Sequence, residues 1–157
     1  MFTIVHTKSC TDFAENLSKR LSDAKTVLVD DILSAPQTID DFDNLGLVFS
    51  NDGKSLPLQM QSFIRDVLGN CDLKSLEYMF SICITDGNVG HALKIVEKLC
   101  AKAGCAPSLS LAIDRQSITD EVCDNAVKLI DSGEIRLAKG SLGTSIYMLL
   151  HGIKTRS

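Results

Sequence analysis

Five short runs of β-branched and apolar residues alternate with helical patterns along the chain, and this alternation restricts the fold more than any other feature. The runs are 2–6, 25–30, 45–50, 77–85 and 108–113. The fourth run, EYMFSICIT, is apolar nearly throughout, as a strand buried on both faces requires. Strands that alternate with helices form a parallel sheet with helices on both faces. The sequence therefore predicts a three-layer α/β/α sandwich around a five-stranded parallel sheet.

Apolar residues at helical spacing predict the helices that cover this sheet. The stripes lie within 13–21, 57–69 and 89–104. Pro at the start of the second segment and Gly at the ends of the second and third are typical helix boundaries. A last helix is predicted over 117–132, with Ser117 at its head as the capping residue.

The length of 157 residues fits one domain, 1–157, which we divide into a core (1–133) and a C-terminal extension (134–157). The extension carries a short apolar group: Ile146, Tyr147, Leu149, Leu150 and Ile153. This group predicts a further, C-terminal helix that follows the helix over 117–132 and packs on the domain. The alternative is a contact with a partner, such as a second copy of the chain in a homodimer.

Charge and cysteine usage exclude several classes of partner. The net charge is −4 and the basic residues are scattered, so we expect no nucleic-acid partner. The six cysteines include no CxxC pair, and we predict no metal site.

No apolar run reaches the roughly 20 residues of a membrane-spanning helix. Residues 1–6 lack the charged lead-in of a secretory signal. We therefore expect a cytoplasmic protein without a membrane partner.

Three polar loops follow strands of the predicted sheet. They read HTKSCT, SNDGKS and TDGNVG. Right-handed crossover connections place all strand-to-helix loops on the same edge of a parallel sheet. Ligands of open α/β sheets bind at that edge, where the strand order reverses. The sequence therefore predicts a ligand site formed by these three loops.

The stretches LGLVFSNDGKSLPLQMQSFI, CITDGNVGHALKIVEKLCAKAG and LSLAI carry a resemblance to the flavodoxin-like family. The chain looks most like the flavodoxin part of bacterial flavodoxin–ferredoxin fusion proteins. Leu56-Pro57 and Ala92-Leu93 stand where those proteins have a Leu-Pro and an Ala-Leu pair, and the resemblance covers about 1–113. No ferredoxin cysteine run follows. The resemblance implies the strand order 2-1-3-4-5.

The resemblance also implies flavin mononucleotide (FMN) as cofactor, and another small phosphate-bearing ligand is the alternative. In the family the first loop has the pattern [ST]-x-T-G-x-T and wraps the flavin phosphate. Here the last Thr is kept as Thr11, whereas Ser9 replaces the Gly. The implied cofactor-binding residues are Thr7, Lys8, Ser9, Cys10 and Thr11 for the phosphate, and Ser50, Asn51, Asp52, Gly53, Thr85, Asp86, Gly87 and Asn88 for the ring.

Aromatic residues that would stack on a flavin ring are missing from these loops. The chain has no Trp, and Tyr78 and Tyr147 lie outside the loops. The sequence is therefore compatible with two functions. The first is an FMN-binding electron-transfer protein or small oxidoreductase with a redox-protein partner. The alternative is a flavodoxin-like module that binds no flavin and acts through protein contacts. In either case we predict no catalytic side chain.

Cys10 follows a strand and precedes a helix, where a thiolate is stabilised. Low-molecular-weight tyrosine phosphatases place a nucleophilic Cys at such a position, together with an Arg six residues later. That place is taken by Asn16 here, which argues against a phosphatase. We interpret Cys10 as a plain loop residue, with a redox-sensitive thiol as the alternative.

Overall fold

The sheet lies at the centre of the computed structural model, which describes residues 1–35, 42–51, 55–133 and 147–156. Within these ranges the sheet has seven strands in the order β2-β1-β3-β4-β5-β7-β6. The strands are β1 (Phe2–His6), β2 (Ala24–Leu28), β3 (Asn44–Ser50), β4 (Tyr78–Thr85), β5 (Leu109–Asp114), β6 (Tyr147–Leu150) and β7 (Ile153–Arg156).

Five α-helices are described. They are α1 (Thr11–Arg20), α2 (Val29–Ser34), α3 (Leu58–Ser62), α4 (Ala92–Ala103) and α5 (Asp120–Asp131). The α3 helix continues through a π-helical turn, Phe63–Val67, and a 3₁₀ turn, Leu68–Asn70. No helix in the described ranges is long and apolar enough to cross a bilayer.

Strands β1 to β5 are parallel and follow the predicted order 2-1-3-4-5. Strand β2 is the one predicted strand that ends early. It stops at Leu28 because Val29 begins α2, whose first turn contains Asp30 and Asp31. Carboxylates interact favourably with the positive end of a helix, and this favours the helix over a longer strand.

The core forms two layers, one on each face of the sheet. Val5 points to the layer under α2, α3 and α4, whereas its neighbour Ile4 points to the layer under α1 and α5. Adjacent strand residues face opposite sides, so both faces of β1 are buried. Cys83, Cys100 and Cys123 are buried in these layers among apolar side chains.

Gly46 is a glycine of the sheet whose position has no room for a side chain. It lies on β3 between Ile4 of β1 and Phe80 of β4. A Cβ atom at this position would stand 2.1 Å from Cζ of Phe80, far inside van der Waals contact. The Phe80 ring is fully buried and also contacts the Phe2 ring at a centroid distance of 5.8 Å. The missing side chain of Gly46 is therefore what makes room for this ring.

The predicted C-terminal helix is wrong for 147–156, where the chain forms a β-hairpin. Strands β6 and β7 pair antiparallel through a two-residue turn, in which His151 has φ 52° and Gly152 has φ 79°. Two consecutive positive φ angles are typical of the tight hairpin turn whose twist matches that of the strands. Strand β7 also pairs antiparallel with β5, and Ile153 is buried against it. The five predicted parallel strands thus gain two antiparallel ones.

The N-cap of α5 is Thr119 rather than the predicted Ser117. The Thr119 hydroxyl accepts a hydrogen bond of 3.2 Å from the backbone N–H of Val122. Ser117 instead ends a 3₁₀ turn after β5. Ser117 and Thr119 lie two residues apart, and Thr119 has the extended backbone that is typical of an N-cap.

Removing this cap gives a first prediction. We expect Thr119→Ala to lower the free energy of unfolding by about 1 kcal/mol, because one N–H of the first turn loses its acceptor. Ser117→Ala is the matched control, and it should change the free energy by less than about 0.5 kcal/mol. Urea unfolding followed by circular dichroism measures both. Equal losses from the two variants would contradict the cap assignment.

Candidate functional site

The loops after β1, β3 and β4 meet at the carboxyl edge of the sheet, as the topology predicts. The Ser9 hydroxyl shares a hydrogen bond of 2.8 Å with the Ser50 hydroxyl, which joins the first loop to the second. The side-chain amide of Asn51 donates to the backbone oxygens of Asn88 and Val89, which joins the second loop to the third. One continuous set of hydrogen bonds therefore links all three loops.

The first loop is a single 3₁₀ turn, Lys8–Cys10, that leads directly into α1. Its polar groups already bond to one another. The Cys10 N–H donates to the Thr7 carbonyl at 3.0 Å, and the Thr11 hydroxyl donates to the Lys8 carbonyl at 2.8 Å. The Thr7 and Ser9 hydroxyl oxygens lie 3.4 Å apart. Lys8 itself is exposed to solvent.

The N-terminus of α1 has no side-chain cap. Its N-cap residue is Cys10, whose side chain makes no cap hydrogen bond, and the Thr11 N–H donates to the Lys8 carbonyl of the preceding 3₁₀ turn. The first N–H groups of a helix need acceptors from outside the helix, and the helix dipole adds a partial positive charge. An anion is a suitable acceptor at such a position. Asp12 lies in the first turn and opposes an anion there by its own charge.

Two cavities lie on either side of the first loop. One, of about 240 Å³, is lined by Ser9, Cys10, Asp12, Phe13, Asn16, Ile84, Arg115 and Ile118. The other, of about 220 Å³, is lined by Thr7, Lys8, Ser9, Val29, Asp30, Pro57 and Gln59. Each cavity contains one basic side chain, Arg115 in the first and Lys8 in the second. The carboxyl edge thus offers concave space on both faces of the sheet.

The third loop is ordered by its own side chains. The Thr85 hydroxyl accepts from the Gly87 N–H at 3.2 Å, and the Asn88 side chain accepts from the Gly90 N–H at 2.9 Å. Asp86 is exposed and forms an ion pair of 3.3 Å with Arg115. These bonds leave the loop backbone with a defined shape beside Asn51.

Most of the predicted site residues therefore come together, but not all of them are described. Asp52 and Gly53 lie outside the described residues. Arg115, Pro57 and Gln59 line the cavities but were missed from the sequence. The position of Arg115 directly after β5 was an available signal, because that strand also ends at the carboxyl edge.

No aromatic side chain belongs to the three loops where the structure describes them. The nearest candidate is Phe13, which lines the larger cavity but is 6% exposed. Tyr78 begins β4 and so lies at the opposite edge of the sheet. A flat heterocycle bound at the loops would therefore contact backbone and polar side chains rather than a stacked ring.

Cys10 lies at a helix N-terminus, yet its environment does not favour a thiolate. The side chain is 2% exposed. Burial raises the pKa of the Cys10 thiol, and the hydroxyls of Thr7 and Ser9 and the charge of Arg115 only partly oppose this. A protonated, buried thiol is a poor nucleophile. This supports the interpretation of Cys10 as a plain loop residue.

Comparison with solved structures identifies the fold. The flavodoxin of Fusobacterium nucleatum bound to flavin mononucleotide matches at a TM-score of 0.65 and 13% identity, over 83% of this chain and 96% of that one. A short-chain flavodoxin associated with a non-canonical PDU bacterial microcompartment matches at 0.59 and 15% identity, over 85% and 100%. The rubredoxin oxygen:oxidoreductase of Desulfovibrio gigas matches at 0.64 and 10% identity, over 84% and 34%.

These structures share the fold of this chain, which is flavodoxin-like. No protein-family model and no curated protein matches the sequence. The likeness to the flavodoxin part of fusion proteins in particular stays a prediction.

Proposed function

We propose that this flavodoxin-like chain binds flavin mononucleotide at the carboxyl edge of its sheet and transfers electrons, as a carrier or a small oxidoreductase with a redox-protein partner. The observation that supports this most is that hydrogen bonds join the three loops to one another. They lie beside the N-terminus of α1, whose N-cap side chain makes no cap hydrogen bond. All six cysteines lie in the described ranges and none of them is in a disulfide, which suits a reducing compartment such as the cytoplasm.

The phosphate would be held at the first loop. Lys8 supplies a positive charge, and the first turn of α1 supplies N–H groups without a side-chain acceptor. The hydroxyls of Thr7 and Ser9 can each donate one hydrogen bond and still accept another. Thr11 would have to turn from the Lys8 carbonyl to reach a phosphate oxygen. The donor set thus fits a phosphate, although the loop lacks the family's Gly.

The ring would lie against Asn51 and the turn of 86–88. When bound, the flavin supplies the one- and two-electron chemistry, and the protein positions it and sets its electrostatic surroundings. The Asp86 carboxylate disfavours a negative charge on a reduced ring nearby. Arg115, 3.3 Å from that carboxylate, offsets this effect. Binding of the ring would rest on hydrogen bonds to its edge, so we expect weaker binding than in a site with stacking aromatics.

Two observations favour the alternative of a module that binds no flavin. The hydroxyls of the first loop already bond to each other and to Ser50. The described parts of the loops also offer no aromatic side chain. On this alternative the same carboxyl edge would contact a protein rather than a nucleotide.

The test is the visible absorption spectrum of the protein after incubation with flavin mononucleotide and desalting. Flavin bands that stay with the protein are expected. Lys8→Glu should weaken binding at least about tenfold, because a charge-assisted contact to the phosphate becomes a repulsion. Lys19→Glu is the matched control, since Lys19 lies in the last turn of α1 and is also exposed.

The outcomes separate the two functions. Retained bands that Lys8→Glu removes and Lys19→Glu leaves would support the phosphate site. A colourless wild-type protein would overturn flavin binding and favour the module without flavin. Equal losses in both variants would place the phosphate away from Lys8.

A further inference from the structure

The C-terminus of α4 brings two cysteines together through the geometry of the helix end. Gly104 has φ 97°, and its N–H donates to the Ala101 carbonyl at 3.2 Å. The Cys105 N–H donates to the Cys100 carbonyl at 2.9 Å. These two bonds define the Schellman motif, in which the side chains at the positions of Cys100 and Cys105 are frequently in contact. In this chain both of those side chains are thiols.

The backbone bond keeps the two residues within disulfide range. With standard bond lengths, an N···O distance of 2.9 Å limits the separation of their Cα atoms to at most about 7 Å. Cysteines at or below this separation can be bridged without a large backbone movement when their side chains face each other. Both side chains also belong to one core layer, because Cys100 is part of the hydrophobic cluster under α4 and Cys105 packs against that cluster.

The pair is asymmetric in its exposure. Cys100 lies on the buried side of α4 and is fully buried, whereas Cys105 follows the helix and is half-buried. Cys105 also lines a cavity of about 140 Å³, together with Tyr78 and Ser108. These residues lie at the start of β4 and just before β5, so the cavity lies at the edge opposite the three loops. A small reagent therefore reaches Cys105 first and Cys100 only through it.

We propose that Cys100 and Cys105 form a redox-active dithiol that exchanges with low-molecular-weight disulfides at this opposite edge of the sheet. The proposal rests on the helix-end geometry and on the packing of both side chains in one core layer, and it does not depend on flavin binding. Its site shares no residue with the three loops.

The reaction balances as a thiol–disulfide exchange. The Cys105 thiolate attacks one sulfur of a small disulfide, which forms a mixed disulfide and releases one small thiolate. Cys100 then loses its proton and attacks the Cys105 sulfur, which releases the second small thiolate. Both protons end on the released thiolates. The two protein thiols are thereby oxidised to a disulfide, and the small disulfide is reduced to two thiols.

Electrostatics assign the order of attack. The hydrogen bond from Cys100 lowers the pKa of Cys105, although burial opposes it. The same bond, together with burial, raises the pKa of Cys100. The partial negative charge at the C-terminus of α4 works against both thiolates.

The experiment uses the full, reduced chain and glutathione disulfide as the probe. Trypsin cleaves after Lys98, Lys102 and Arg115, so the two cysteines fall on the separate peptides 99–102 and 103–115. We expect these peptides to be joined after exposure to glutathione disulfide and separate after reduction. The intact mass should fall by two hydrogen atoms.

Three variants test which cysteine takes part in each step of the exchange. In Cys100→Ala we expect a stable mixed disulfide with glutathione on Cys105, because the second thiol is gone. In Cys105→Ser we expect loss of the joined peptides and a reduced, buried Cys100. Cys71→Ser is the matched control, since Cys71 is also half-buried against the same core layer, and it should form the joined peptides as the wild type does.

A second probe needs no variant. Phenylarsine oxide bridges two adjacent thiols, and one equivalent should block the joining of the two peptides in the wild type. Peptides that stay separate in the folded wild type, or phenylarsine oxide that leaves both thiols free, would overturn the proposal. A colourless protein that still joins these peptides would overturn flavin binding alone.

Discussion

Gly46→Ala is expected to lower the free energy of unfolding by about 2–3 kcal/mol, which is the upper part of the usual range for overpacking a core. The added Cβ would lie 2.1 Å from Cζ of Phe80 and under 3 Å from two further atoms of that ring. The ring is fully buried in the core layer under α1 and α5, so the surrounding side chains oppose its displacement. Urea unfolding of the purified variant measures the loss.

Two controls make this prediction specific to the Gly46–Phe80 contact. Gly69→Ala should be neutral or slightly stabilising, because no atom lies within 3.6 Å of its added Cβ and alanine restricts the unfolded chain. Gly46→Ala combined with Phe80→Leu should cost less than the sum of the two single changes, because the smaller side chain makes room for the methyl group. Additive costs would show that the ring is not the obstacle.

Ile153→Ala is expected to cost about 2–5 kcal/mol, as for other fully buried aliphatic side chains. Ile153 is buried and pairs with Ile113, and it anchors β7 to β5. Truncation after Gly133 removes both strands of the hairpin and leaves β5 as an unpaired, apolar edge. Such an edge pairs readily with other chains, so the truncated protein should also form oligomers. Thermal unfolding and light scattering measure the two effects.

Leu149→Ala is the matched control, because it removes an apolar side chain of the same hairpin that is exposed rather than buried. Its side chain is 70% exposed, so this change should stay within about 0.5 kcal/mol of the wild type. A truncated chain that remains monomeric and equally stable would contradict the structural role of β7. An Ile153→Ala variant as stable as Leu149→Ala would contradict the burial on which the prediction rests.

The parallel strands could be predicted because their runs are apolar and bounded by turn residues. The run 77–85 is an example, and the structure begins β4 one residue later. The hairpin could not be predicted in the same way. Its strands have four residues each, and its turn depends on His151 at positive φ, which only a minority of residues other than Gly adopt. A short apolar group without a strong turn signal fits a helix equally well.

The edge at which the loops meet could be predicted from topology, but the contacts within the site could not. Parallel strands fix which loops are neighbours. The Ser9–Ser50 bond joins residues far apart in sequence, and it depends on side-chain positions that no local pattern specifies. Cys100 and Cys105 illustrate the same limit, because their contact follows from the helix ending at Gly104 and only the ending was predicted.

The place of β7 in the sheet also has a consequence for the order of events at the ribosome. Strands β1 to β5 leave the exit tunnel before β7, and chains fold in this direction during synthesis. The five parallel strands can therefore pair with one another before β7 is available to pair with β5. Until β7 emerges, β5 is an open strand edge, and we expect slow translation through 115–152 to lengthen the time during which this edge can pair with other chains.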